Sequence, residues 1–229
     1  MPRRRSRSLV LALVCALTAA PAAAAPGAER AVCGWEGYSY AGYRSPVQAY
    51  GVAGRLALRA RADVRSGHVA AWLGVGGSGF APGGGDAWVQ AGLAGFADGR
   101  AELYYEYATP SMRKPRYVAV APLAARAAHD VAVQERRARP GAWRVLVDGR
   151  PVGSPIVLPG SHGGWRPIAT AESWDGGVRT CNRFVYDFSD LAVATAPGGR
   201  WRPFALTEPI QDPGYRVSPR ASGFTARAA

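Results

Sequence analysis

Glycine and proline interrupt the chain roughly every ten residues, and between these breaks apolar positions recur every second residue, not every third or fourth. In "RLALRARADV" (55–64) the apolar Leu56 and Leu58 alternate with Arg55, Arg59 and Arg61, the pattern of a strand with one buried face. The same alternation, or a short apolar run of strand length, predicts strands over 68–75, 86–93, 101–108, 116–121, 129–136, 142–147, 167–174 and 183–193. A last strand is expected over 223–228, in a tail otherwise rich in proline and arginine. Asp148-Gly149, directly after "AWRVLV", predicts a tight hairpin, because both central residues of a type I′ turn need positive φ. No segment sustains a helical period. Many short strands with turns at this spacing imply an all-β chain, an antiparallel two-sheet β-sandwich or jelly roll.

The first residues break this pattern. Arg3, Arg4, Arg5 and Arg7 precede an apolar run from Leu9 to Leu17 and an alanine-rich stretch, the layout of a secretory signal peptide. The run is shorter than the ~20 residues a membrane span needs. Cleavage after Ala24 is expected, leaving 25–229 as one secreted domain with no membrane anchor. Its loss removes four arginines and lowers the formal net charge from +12 to about +8. The remaining arginines are scattered without a recognition motif, so no nucleic-acid partner is expected, and a monomer is. Two cysteines remain, Cys33 and Cys181, and in an exported chain they imply one disulfide. They offer no zinc spacing, so no metal is expected, nor any other cofactor.

Candidate chemistry is sparse. "GVGGSG" (74–79) satisfies the dinucleotide fingerprint, but "FAPGGGDAW" follows it and cannot begin a helix there, so it reads as a surface loop. His68, His129 and His162 stand isolated along the sequence, without ligand spacing. Period-two parity is more informative. Trp88 and Gln90 share one face of their strand; Thr170, Glu172 and Trp174 share one face of theirs; Glu102 and Glu106 lie on the same face as Tyr104. Polar groups paired with aromatic rings two positions away fit a binding cleft. They fit a buried, mutually satisfied Gln and Glu equally well, and the pattern alone leaves both open. The spaced carboxylates also raise a glycosidase on the same architecture, although the tight E-x-D-x-x-E arrangement is absent.

Several short segments, taken in order, resemble the eqolisin glutamic peptidases and their bacterial relatives: "AAWLGVGG" (70–77), "WVQAGL" (88–93), "YYEYATP" (104–110) and "TAESW" (170–174). "HDVAVQ" (129–134) and "GAWRVLVDGRPVG" (141–153) match the family's middle hairpin, and "SGFTARA" (222–228) resembles its closing strand. The resemblance implies a concanavalin A-like sandwich whose concave groove takes a polypeptide substrate, and an acid-acting endopeptidase that works through a Gln-Glu dyad. Carried over by position, the catalytic pair is Gln90 and Glu172, Trp72 is the groove tryptophan, and Glu106 is an acid near the site. Trp88, Tyr105 and Trp174 join Trp72 and Glu106 as candidate substrate-binding residues. The chain departs from the family at Gly76, where the family has an aspartate. The competing expectation is a non-catalytic module that binds peptide or carbohydrate in the same groove.

Overall fold

A computed structural model describes residues 37–177 and 181–228 of the chain. The expected signal peptide and Cys33, and with it the expected Cys33–Cys181 pairing, lie outside the described residues. Those residues form β-strands and turns with no helix. One sheet takes its strands in the order β13 (Glu208–Gln211), β1 (Tyr38–Arg44), β10 (Ile168–Trp174), β3 (His68–Gly77), β4 (Ala87–Phe96), β5 (Ala101–Ala108) and β6 (Arg116–Pro122). The other takes β14 (Tyr215–Arg220), β15 (Gly223–Ala228), β11 (Val185–Ala194), β2 (Gly51–Leu58), β7 (Ala128–Glu135), β8 (Ala142–Val147) and β9 (Arg150–Val157), with the short β12 (Trp201–Pro203) beside β11. Every pairing is antiparallel. The fold class is therefore the all-β, two-sheet sandwich that the alternation implies.

The two sheets bury one core between them. Val69, Ala71, Leu73 and Val75 of β3 and Val89, Ala91 and Leu93 of β4 face Val52, Leu56, Val133, Trp143, Val145 and Phe188 of the opposite sheet. Burial of such side chains contributes about 1.5–3 kcal/mol each. β3 is buried on both faces along most of its length, because its even-numbered residues sit under a second, smaller cluster of Ala70, Trp72, Ala94 and Tyr104. That second cluster is the floor of a groove on the outer side of the first sheet.

The hairpin expected at Asp148-Gly149 joins β8 to β9, and both residues have positive φ, 48° and 76°. β2 begins at Gly51 and ends at Leu58, so the strand expected over 55–64 starts earlier and stops sooner. β1, β12, β13 and β14 were not anticipated from the pattern, whereas β9 is the second arm of the expected hairpin. β9, β13 and β14 lie at sheet edges and contain Pro151 and Pro155, Pro209, and Pro219, which break an alternating run; an edge tolerates a residue that cannot donate to the ladder. The fourth edge, β6, ends in Pro122.

Gly76 occupies a constrained position near the end of β3. Its φ is +88°, and a Cβ there would lie 2.2 Å from the carbonyl oxygen of Ala87 and 2.8 Å from both the Trp165 ring and the Trp88 Cα. A glycine is thus required by this backbone. Gly76→Asp is expected to destabilise the protein by more than the ~1–3 kcal/mol of a strained backbone alone. Urea unfolding of the variant checks this, and an unchanged midpoint would contradict the reading.

Candidate active site

Residues directly opposed in an antiparallel pair point to the same side of the sheet, so the register places the groove's side chains. Glu172 of β10 is opposed by Tyr40 of β1 and by Ala70 of β3, and Ala70 by Ala94 of β4. Trp72 is opposed by Thr170 and by Gly92, and Gly92 by Tyr104 of β5. Gln90 is opposed by Gly74 on one side and by Glu106 on the other. These rows share one face and line one cavity of about 510 Å³. Its middle strands carry small residues, Ala70, Gly92 and Ala94, so the floor is low and the larger groups on the flanking strands rise around it.

Glu172 is buried, with 6% of its surface exposed, and both of its oxygens are engaged. The His68 ring nitrogen Nε2 lies 3.0 Å from Oε1, and the Trp72 indole N–H donates to Oε2 at 3.1 Å. Tyr40 stands beside them. Burial, and then the Glu172 charge, push its phenol above the usual range, so it stays protonated.

On the other side of Trp72, the Gln90 amide donates to the Tyr104 hydroxyl at 3.2 Å and lies 3.5 Å from Glu106 Oε2. Glu106 has no cation bonded to it among the described residues. Burial first, and then the negative charge of Glu172, raise its pKa to about 7, while His68 acts in the opposite direction. Tyr104 is buried and its phenol is pushed well above the usual range by that burial and by both carboxylates. The site therefore holds two carboxyls in different environments, one clamped by two donors and one held in its neutral form into the neutral range.

Gln90 and Glu172 make no hydrogen bond with each other. β3 lies between their strands, and their rows are Gly74 and Ala70, with Trp72 in the row between. Trp88 and Glu106 line the cavity. Trp174 shares the face of Glu172 but is not part of the cavity lining; it stacks on Tyr38 with ring centres 6.2 Å apart and lies 5.5 Å from the His68 ring. Tyr105 is a correction. It is opposed by Ala91, points to the inner face, joins the core and stacks on Tyr107, so it does not reach the groove. Its neighbour Tyr104, on the face of Glu102 and Glu106, takes that place, and parity along "ELYYEY" carried the signal.

The histidines are a second correction. Each one is paired with a carboxylate: His68 with Glu172, His129 with Asp148 and His162 with Glu135. Spacing along the chain is blind to such partners because they lie across strands, 104 residues apart for His68 and Glu172. The aromatic rim was also missed. Tyr38 and Tyr117 line the cavity while 49% and 39% exposed, and Tyr117 stacks on Tyr104 at 4.9 Å. Tyr117 donates its hydroxyl proton to Glu102, which also receives Arg100. The "GVGGSG" segment ends β3 and enters a turn, with β4 and not a helix following.

No protein-family model and no curated protein matches the chain in sequence. Solved structures do match in three dimensions. Scytalido-glutamic peptidase, solved with a peptide-based transition-state analogue, superposes with a TM-score of 0.55 over 85% of this chain and 98% of that one, at 13% identity. SCP-B, described as a member of the eqolisin family of peptidases and solved with the tripeptide Ala-Ile-His, gives the same TM-score, identity and coverage. At that identity the likeness is one of fold: this chain is built on the same two-sheet framework as the glutamic peptidases.

Proposed function

We propose that the protein is a secreted endopeptidase that hydrolyses peptide bonds in acid, with Glu172 activating water and Gln90 stabilising the oxyanion. The observation that carries this reading is the presence of both side chains on one face of one cavity, in a fold shared with peptidases solved with peptide ligands. In this mechanism ionised Glu172 takes a proton from a water molecule as the water oxygen attacks the scissile carbonyl carbon. The same proton then passes to the departing amide nitrogen, so the C–N bond breaks to a free acid and a free amine. The carbonyl oxygen gains charge as the tetrahedral centre forms, and the Gln90 amide, whose contact to Glu106 is long, has an N–H to offer it. The substrate is a polypeptide, its side chains packed between Tyr40, Trp72, Trp88 and Tyr117. Export through removal of residues 1–24 belongs to the same proposal.

A second reading, a binding module that holds peptide or carbohydrate without cleaving it, is favoured by the half-exposed Tyr38 and Tyr117 at the cavity mouth, since exposed rings offer stacking surfaces. Binding that survives Glu172→Gln, with no product from the wild type, selects it.

Digestion of an unfolded protein at about pH 3–5, around the ordinary carboxylate range, tests the first reading. Glu172→Gln is expected to lower kcat by about 10²–10⁴-fold, the usual worth of a general acid–base group. Gln90→Ala is expected to lower it by about 10²–10³-fold, as loss of an oxyanion donor does. A wild type that releases no fragments, or a Glu172→Gln protein that cuts as fast, overturns it.

The Glu106 carboxyl gives an independent pH signature. Its folded pKa is raised from 4.5 to about 7, so between those values the folded protein keeps a proton that the unfolded chain has released. Its contribution to stability therefore falls as pH rises through that window, and levels off above it. Glu106→Gln removes this dependence. The melting temperature of the variant relative to wild type is expected to rise between about pH 4 and pH 8, and a constant difference would rule it out.

A further inference from the structure

His68 begins β3, opposed by Trp174 on β10 and by Phe96 on β4, so three strands meet at its ring. The ring packs against Trp174 at 5.5 Å, Phe96 at 6.1 Å and Tyr38 at 6.2 Å. These contacts leave the imidazole little rotational freedom and aim Nε2 at Oε1 of Glu172, 3.0 Å away. The other two histidine pairs differ. His162 is half-exposed over Glu135, and the carboxylate facing His129 is 53% exposed, whereas His68 and Glu172 side chains are only 23% and 8% exposed.

A carboxylate only accepts hydrogen bonds, so the His68 nitrogen facing ionised Glu172 carries the hydrogen. The Trp72 indole can only donate, and it holds the other oxygen. Two N–H groups from β3, at even spacing, thus grip one carboxylate from β10, one on each oxygen. With one donor on each oxygen, the orientation of the carboxylate plane is fixed. A flexible carboxylate would sample several rotamers and lose that geometry.

We propose that His68 is a positioning residue: together with Trp72 it locks the Glu172 carboxylate in the orientation from which it acts on water. The inference rests on the peptidase reading above and adds a group that the Gln90–Glu172 pair does not include. The bond of His68 is to Glu172, so its effect is expected on turnover more than on substrate affinity.

The test compares His68→Ala and His68→Gln with wild type, with near-ultraviolet circular dichroism confirming folded protein. His68→Ala is expected to lower kcat by about 100-fold, the scale of a misplaced reacting group, with KM unchanged to within about twofold. His68→Gln, which keeps an N–H donor, is expected to recover part of the loss. Unchanged kcat, equal loss in both variants, or a change confined to KM overturns the proposal. A second measurement does not depend on cleavage. In ¹⁵N-labelled protein the Nε2–H resonance of His68 is expected to carry the downfield shift of a carboxylate hydrogen bond, and to lose it in Glu172→Ala. A resonance that is the same in both proteins overturns the proposal whether or not the wild type is a peptidase. A wild type that cleaves nothing while the resonance behaves as expected removes the peptidase reading and, with it, a catalytic role for the clamp.

Discussion

A carboxylate taken out of water needs donors on both oxygens, and the need to satisfy Glu172 shapes the centre of this molecule. The donors, His68 and Trp72, come from the adjacent strand at even spacing, so β3 must present polar and aromatic groups on one side and pure hydrocarbon on the other. It does so by placing Val69, Ala71, Leu73 and Val75 in the core and His68, Ala70 and Trp72 in the groove. A one-residue slip against β10 would send the donors into the core and the valines into the cavity. The register of the two strands and the state of Glu172 therefore hold each other in place.

The rest of the groove follows from what this clamp leaves out. Glu106 lies in the same cavity but receives only the long contact from Gln90, so burial and the Glu172 charge act on it with little to oppose them. Two residues of the same type, in one cavity, thus sit in different surroundings, one held by two donors and the other by a single long contact. Tyr104 and Tyr40, raised by burial and by these charges, remain neutral donors around them.

Much of this was legible in the chain because period two is a direct report of burial on one face. The alternation gave the core strands, and parity put Gln90, Glu172, Glu102 and Glu106 on faces that the register then joins. Parity also distinguished Tyr104 from Tyr105, and the choice of Tyr105 as a binding residue went against it. The His68–Glu172 contact was not legible, because it depends on β10 lying beside β3, a long-range pairing that no local spacing encodes. The edge strands β13 and β14 were hidden for a different reason. Proline breaks the alternation by which strands are recognised, yet an edge makes no demand on one side of its ladder. The segment "GVGGSG" shows the converse, a strong local motif whose meaning depends on the element that follows.

Those edge prolines also bear on how a long flexible ligand can be held. Each of the four outermost strands carries a residue with no amide hydrogen, which discourages another chain from continuing either sheet. A guest polypeptide is thereby denied the generic, sequence-blind grip of main-chain β-augmentation. The same prolines weigh against edge-to-edge pairing of one sandwich with another.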